Sequence, residues 1–442
     1  MNIIEFKQHI SHDRERQYLL FPFEMPAQTE RIEIDYHYTQ NKAVEIPTEI
    51  GEFVQTEQVN ILDLGLIGPD GRQIGASGSN KTSIFVSTKD ATPGYLPDPL
   101  TPGTYQIMLG AYVVAKEGVE VTFNLRFFPK VRRWLKGDLH THTFGSDGQL
   151  SVEQLGKHAR EHGLDFIAVT DHNQPVKRAS FPKIEGLTII PGMEWTHYEG
   201  HSNFFGIEEP YNGFFVANTP EEWQDKFQQA KKRGALISIN HPMDENCPFL
   251  IDFSTLPYDL IEVWNGPMRP ANLKAIAMWD QMLKDGKKQV AVCGSDYHRD
   301  TFFQRLAGPT INVLSWSASE QDILEAIQSG HSYFTYSPTN LQIELTIENA
   351  TYGSILNFHP DLKAQIHAIS LEAGDQIKII DQDGERLIFT SPGKGNWSYE
   401  LPVLKAGYLR LEVWRTFFPG LPLLPALVTN PIWLDKINYE IR

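Results

Sequence analysis

The chain carries Asp138-Leu139-His140-Thr141-His142, with Asp147 five residues further on. Histidines at i and i+2 point to the same side of an extended strand, because strand side chains alternate with a period of two. Two imidazoles presented in this way reach one metal ion without bending the backbone, and Asp147 is near enough in sequence to turn back into the same pocket. Four further segments repeat the scheme of a short apolar run followed by metal-capable residues. Residues 167–169 precede Thr170-Asp171-His172, and 188–190 precede Gly192-Met193-Glu194. Residues 236–239 precede Asn240-His241-Pro242, and 290–292 precede Gly294-Ser295-Asp296-Tyr297-His298. Imidazole suits Zn, Mn and Fe, while carboxylates add charge and can bridge two ions. After Glu194, both His197 and His201 are within reach of a metal. One His-x-His pair carries little weight. Five strand ends that each deliver His, Asp or Glu describe a site at the C-terminal ends of strands, where parallel-barrel enzymes carry theirs.

The elements that must hold these residues are legible around them. From residue 137 onward, apolar strands alternate with helical stretches, which implies a parallel sheet. Ser151 with Gln154 predicts a capping box that opens a helix running to His162 and stopped by Gly163. Thr219-Pro220-Glu221-Glu222 combines an N-cap, a proline at the first helical position and an acid at the third, and that helix should end at Gly234. Further helices are expected over 270–284 and 320–329. Residues 1–130 read as all-β. The stretch 31–36 alternates polar and apolar, 60–67 closes on the turn Gly68-Pro69-Asp70-Gly71, and 82–86, 104–114 and 119–128 continue the series, which predicts a β-sandwich or jelly roll. Such modules sometimes bind sugars, but the expectation is a structural appendage. Residues 338–442 return to strands, with a hairpin turning at Asp381-Gln382-Asp383-Gly384. The apolar, proline-rich stretch 416–425 is expected to pack rather than to be exposed.

The motif order His-x-His, Thr-Asp-His, Glu followed by His, a lone His and Asp-x-His resembles that of the PHP (polymerase and histidinol phosphatase) metallohydrolases. The lead-in Trp134-Leu135-Lys136-Gly137-Asp138-Leu139-His140 is similar to that of the CehA/McbA-type branch, in which the PHP unit carries β-rich appendages. The resemblance covers about residues 134 to 335. It implies a multidomain α/β plus all-β chain: a distorted (β/α)7 TIM-like barrel at 131–337, flanked by β-sandwich-like domains at 1–130 and 338–442. It also implies two or three divalent ions (Mn, Zn or Fe). The first would take His140, His142, Glu194 and Asp296. The second would share Glu194 with His201 and His241, the Gly200-His201 pair matching the family pattern better than His197. The third would take Asp147, His172 and His298; in some members a histidine stands where Asp147 does.

Three divalent ions outweigh Asp147, Glu194 and Asp296, so the pocket would stay positive and favour an anionic, small-molecule substrate, above all a phosphate ester. Paired metals can clamp the attacking and leaving oxygens of a displacement and supply an activated water. No Ser or Cys nucleophile is then needed, and the chain has no Gly-x-Ser-x-Gly elbow. Asp171 could position a ligand or water. Arg299, Arg269 and Arg305 are candidate phosphate contacts, since the planar guanidinium suits phosphate, and Asn265 could touch substrate. The runner-up activity is hydrolysis of an amide, carbamate or carboxyl ester, followed by a carbohydrate-binding protein with a decayed barrel.

The net charge of −16 argues against general nucleic-acid binding. Of the two cysteines, Cys293 lies in an apolar strand and should be buried, while Cys247 follows His241 by six residues; together they make no disulfide framework. The opening residues lack the apolar segment of a signal peptide, and no apolar run approaches the roughly 18 residues of a membrane span. A cytoplasmic enzyme with no membrane partner is the expectation.

Overall fold

The computed structural model describes residues 2–48 and 51–436. The chain divides into two compact units, Met1–Val131 and Arg132–Arg442.

The first unit contains two four-stranded antiparallel sheets. One runs in the order Asn2–Ile10, Val119–Pro129, Thr29–His37, Ser83–Ser87; the other runs Gln17–Met25, Gly103–Val113, Ile61–Ile67, Gln73–Ser77. Along Val119–Pro129 every second side chain is buried, from Val119 through Val121, Phe123 and Leu125 to Phe127. Both sheets contribute to one apolar core that includes Ile32, Ile34, Leu64, Leu109 and Phe123. Sequence reading missed Asn2–Ile10, Gln17–Met25, Asn41–Thr48, Gly51–Gln58 and Gln73–Ser77; of these, Gln17–Met25 buries only Phe23 and Met25 and contains Pro22. It lies at a sheet edge, the position where proline and a weak alternation are tolerated.

The second unit carries four α-helices among the described residues: α1 (Val152–Glu161), α2 (Pro220–Lys232), α3 (Pro270–Lys284) and α4 (Glu320–Gln328). All four lie where their cap signals place them. The Ser151 hydroxyl accepts from Gln154 N and the Gln154 side chain accepts from Ser151 N, closing the capping box of α1. Thr219 caps α2, with Pro220 at its first position.

The long sheet of this unit is mixed, which corrects the expectation of a parallel sheet. Phe166–Val169 pairs in parallel with Arg133–Asp138 and with Thr188–His197, and Leu260–Asn265 pairs in parallel with Leu236–Ile239 and Val290–Gly294. Gly200–Phe205, however, is antiparallel to both of its neighbours. The cause is local: Thr188–His197 returns through Tyr198-Glu199, and a turn that short can join only antiparallel strands. Nor is there a closed barrel among the described residues. No ladder joins Val290–Gly294 to Arg133–Asp138; beyond their ends a single parallel bridge pairs Thr141 with Tyr297. The sheet also continues past residue 337, because Ser332–Thr335 pairs with Leu424–Thr429.

Phe166–Val169 and Leu236–Ile239 are buried on both faces, which explains why they read as continuous apolar runs rather than as alternating strands. Trp195, Trp264, Trp279, Phe166 and Phe204 anchor the core behind them. The stretch 416–425 departs from its expected burial. It forms the connection between Gly407–Arg415 and Leu424–Thr429, where Phe417 packs edge-on against Tyr336 while Phe418 and Leu421 are exposed. No helix among the described residues is long and apolar enough to cross a membrane.

Candidate metal centre

His140 and His142 stand just past the end of Arg133–Asp138, on backbone held extended by its neighbours. Thr141 makes the bridge to Tyr297, and its hydroxyl donates to Ala168 O at 2.7 Å. With the backbone extended, both imidazoles face one side. Glu194 comes from Thr188–His197, and His201 from the antiparallel strand beside it. Asp147, His172, His241, Asp296 and His298 come from the loops that follow strand ends or precede α1.

The nine side chains converge. Four overlapping groups each have their ligand atoms within 4.8 Å of one another: His142, Asp147, His172 and His298; His140, His241 and Asp296; His140, His142 and Glu194; and Glu194, His201 and His241. Glu194 belongs to two of the four and contacts members of all of them. Its carboxylate lies 3.2 Å from His140 Nε2, 2.8 Å from His172 Nδ1, 3.3 Å from His201 Nδ1 and 3.5 Å from His241 Nε2. Asp296 Oδ1 lies 3.1 Å from His142 Nε2 and 3.4 Å from His140 Nε2, and Asp147 Oδ1 lies 3.1 Å from His298 Nε2. His140, His142 and Glu194 are fully buried, whereas the Asp147 side chain is 59% exposed, so the site opens on the Asp147 side.

His197, the other candidate after Glu194, is placed elsewhere. It stacks on Trp195 at 5.4 Å, and its Nδ1 accepts from Glu199 N. Cys293 is buried, and burial pushes its thiol well above the usual range; Cys247 is exposed at the rim, its Sγ 3.9 Å from His241 Nδ1.

Two backbone features mark the site as one built at a cost. His241 and Asp296 both adopt left-handed backbone, with φ of 28° and 53°. For a residue with a Cβ this costs about 1–2 kcal/mol, and such strain concentrates where a side chain has to be aimed. Gly294 lies so close to His140 that a Cβ there would stand 2.3 Å from the His140 Cβ.

The imidazoles are held in defined tautomers. His140 Nδ1 donates to Glu262 Oε1 at 3.1 Å, His241 Nδ1 to the Cys247 carbonyl at 3.2 Å and His298 Nδ1 to the Asp296 carbonyl at 2.9 Å. A carbonyl can only accept, so in the last two rings Nδ1 carries a proton, and the neutral form of each directs the Nε2 lone pair at the cluster. That is the usual arrangement behind a metal-bound histidine.

The charges are tightly coupled. Burial pushes the Glu194 carboxyl up, but the surrounding histidines, His140 foremost, overcome it and hold the group well below its usual range. Asp296 behaves alike, held well below by His140 and His142 against burial. Burial opposes charge on His140 too, yet Asp296, Glu194 and Glu262 raise it well above 6.5. His241 is also raised well above 6.5, whereas burial dominates at His142 and lowers it.

His140 Nε2, His142 Nε2 and Glu194 Oε2 are buried and have no hydrogen-bond partner. Such atoms cost about 1–3 kcal/mol each when left unpaired. Here they face one another across the cluster, so the residues present fit divalent cations.

Beyond the nine, the structure shows supports that sequence reading missed. Glu262 is buried, accepts from His140 Nδ1 and also accepts from His241 N at 3.0 Å and Asn265 Nδ2 at 3.1 Å. Period two would set Glu262 and Asn265 on opposite faces; a bulge between Glu262 and Trp264 brings them together. The available signal was an acid inside an otherwise apolar strand. Asn240 Nδ2 donates to Glu194 Oε1 at 2.9 Å. Asp138 accepts from His140 N, Ser295 N and Ala307 N, tying two ligand-bearing loops together. Replacing Glu262 by Gln is expected to weaken metal binding by about 10- to 100-fold, the usual effect of losing a carboxylate behind a ligand histidine. A competition titration with a chromogenic chelator measures it, and unchanged affinity would remove Glu262 from this role.

Asp171 does not point its carboxylate freely into the cluster. It accepts from Thr143 N, Thr143 Oγ1 and Ser146 Oγ at 2.7, 2.6 and 2.8 Å, bracing the loop between His142 and Asp147. Arg299 and Arg305 are exposed, and among the described residues no hydrogen bond or ion pair ties Arg299 to the cluster. Arg269 is linked to the cluster through Asn265: its Nη2 donates to Asn265 Oδ1 at 2.9 Å, and Asn265 Nδ2 donates to Asp296 Oδ2 at 3.4 Å.

No family model matches the chain. A 46-residue stretch is 39% identical to the DNA polymerase/3'-5' exonuclease PolX of Bacillus subtilis, covering 10% of this chain and 8% of that protein. Among solved structures, a two-domain protein of Bacteroides vulgatus described as containing a predicted PHP-like metal-dependent phosphoesterase is 18% identical. The match covers 68% of this chain and 96% of that one, with a TM-score of 0.40. The uncharacterized protein MJ1587 of Methanocaldococcus jannaschii is 30% identical over 160 residues, which is 33% of this chain and 90% of the archaeal protein. With nearly all of that protein matched, the chain belongs to the same family as MJ1587.

Proposed function

We propose that the protein is a metal-dependent hydrolase of the PHP type, acting as a phosphoesterase on a phosphodiester or phosphomonoester of a small molecule. The observation that carries this reading is the convergence of nine His, Asp and Glu side chains around buried ligand atoms with no hydrogen-bond partner. His140, His142, Glu194 and Asp296 would hold one ion, Glu194 with His201 and His241 a second, and Asp147, His172 and His298 a third at the exposed edge. Mn, Zn and Fe all suit this mixture of imidazole and carboxylate. Bound divalent ions would polarise the ester and activate water as the nucleophile.

The chain's own residues do the rest. Glu262 and the Cys247 and Asp296 carbonyls hold His140, His241 and His298 with Nε2 inward. Asp171 keeps the His142–Asp147 loop in place. Three divalent ions outweigh Asp147, Glu194, Asp296 and the nearby Glu262, whereas two would only balance them; a filled third site therefore favours an anionic substrate entering by the Asp147 edge. Arg269, 42% exposed and fixed by Asn265 and Asp244, is the guanidinium best placed to orient it. The strand–helix alternation between 133 and 335, with its bridge at Thr141, is in keeping with an incomplete (β/α)7 barrel of the CehA/McbA-type branch, flanked by β domains at 1–130 and 338–442.

The test is hydrolysis by Mn-loaded protein of three chromogenic compounds, a phosphodiester, a phosphomonoester and a neutral carbamate, with His140→Ala as control. Turnover of a phosphate ester that vanishes in the variant is the expected result. Turnover of the carbamate alone would replace this reading with a carbonyl hydrolase. In the same assay Arg269→Ala should raise KM about tenfold while kcat changes less than about threefold, the pattern for loss of uniform binding. Equal losses in kcat and kcat/KM would instead place Arg269 at the transition state.

A further inference from the structure

The first unit holds an open groove of about 480 Å³ on the outer face of the sheet that contains Gln17–Met25, Gly103–Val113 and Ile61–Ile67. We propose that it binds a neutral saccharide chain, with Tyr18 and Tyr112 as stacking platforms and Arg16 and Asp63 as hydrogen-bonding groups.

The strand register builds the groove. Tyr18 pairs with Gly110, and Gly110 pairs with Asp63, so a single rung across three strands reads Tyr18, Gly110, Asp63. Tyr112, the residue left unpaired where Ile61 and Leu62 face Val113 and Ala111, also lines the groove. Gly110 forms the floor: a Cβ there would meet Tyr18 Cε1 and Asp63 Cβ at 3.3 Å each, so the Tyr18 ring reaches across a position with no side chain. Tyr18 is 76% exposed and Tyr112 is 64% exposed. Single exposed aromatics are ordinary on protein surfaces; here two line one groove, and Tyr18, though it packs over Gly110, keeps 76% of its surface exposed. Arg16 supplies a second, independent sign. It adopts left-handed backbone with φ of 65°, held by its N–H donating to Ala111 O at 2.6 Å, and among the described residues its guanidinium has no partner. Arg16 lines the groove and so places a planar five-donor group beside Tyr18.

Ring faces suit the C–H face of a pyranose, while a guanidinium and a carboxylate suit pairs of neighbouring hydroxyls. Glu15 and Asp63 offset Arg16 within the groove, so an anionic chain such as a nucleic acid finds no net attraction there. Nothing in this proposal depends on the metal centre.

The experiment is native affinity electrophoresis of the full-length protein in gels cast with galactomannan, xylan, mixed-linkage β-glucan, amylopectin or polygalacturonate, using wild type, Tyr18→Ala, Tyr112→Ala and Tyr18→Phe. All substituted side chains are exposed, and circular dichroism melts verify the fold. The expected result is retardation by at least one neutral polysaccharide, with Kd raised at least about tenfold in one or both alanine variants and within about twofold of wild type in Tyr18→Phe. Free migration of the wild type in every gel overturns the proposal. So does retardation by polygalacturonate alone, or retardation that both alanine variants retain.

Discussion

Glu194→Gln is expected to cause the largest loss of activity of any single isosteric change in this protein. Its carboxylate is the one group within 3.5 Å of His140, His172, His201 and His241 alike, and it belongs to two of the four ligand groups. An amide has the same size but neither the charge nor the second accepting oxygen needed to bridge ions. Hydrolysis should fall by about 10³-fold or more, equivalent to about 4 kcal/mol in the barrier, together with a lower metal-to-protein ratio by elemental analysis. The metal-free variant should also melt earlier than the metal-free wild type, because removing one partner of a buried ion pair leaves the histidine charges uncompensated, at a cost of about 3–5 kcal/mol. Normal metal content with lost activity would move Glu194 from ligand to reactant. Normal metal content and normal activity would dismantle the proposed centre.

The second large effect is the dependence of metal stabilisation on pH. Against the opposing effect of burial, His140 and His241 are raised well above 6.5, His140 by Asp296, Glu194 and Glu262 and His241 by the Cys247 side chain, Glu194 and Asp296. A raised histidine contributes stability that is fully present below its unfolded value and is lost as pH rises through its folded value. Glu194 and Asp296 are held well below their usual ranges, so their contribution is present above about 4.5 and 3.8 and is lost only as pH falls through the depressed values. The stripped protein should therefore lose melting temperature as pH climbs above 6.5. Metal ligation needs neutral imidazole, so binding displaces those protons and strengthens over the same interval. The melting-temperature gap between Mn-loaded and chelator-stripped protein should widen steadily from pH 6 to 8.5. A gap that stayed constant or narrowed would show that protons and metal do not compete for these rings.

The spacing rules that located the helices worked because caps are local. Ser151 with Gln154, and Thr219 with Pro220, satisfy the first free N–H groups of α1 and α2 from within a few residues, so nothing distant had to be known. The ligand residues were legible for a similar reason. His140 and His142 share a face by strand periodicity alone, and the other strand ends each announce a metal-capable side chain after a buried apolar run. Residue 17, by contrast, begins a strand whose alternation is too weak to read, because an edge strand with few buried side chains has little pattern to show.

What the amino-acid sequence determined by itself was therefore a set of candidate donors and the elements that carry them. Tertiary structure decided how the donors meet. The turn at Tyr198-Glu199 sets the register that brings His201, rather than His197, to Glu194, and makes the sheet mixed. A bulge no pattern predicts turns Glu262 and Asn265 to one side and gives His140 its carboxylate partner. Asp171 became a brace and Arg269, rather than Arg299, the guanidinium tied to the cluster, because the partners that settle both roles are 25 to 28 and 4 to 25 residues away in the chain. Local periodicity says which way a side chain leaves its own strand. Which group it meets there depends on contacts between segments far apart in sequence, and only the folded chain specifies them.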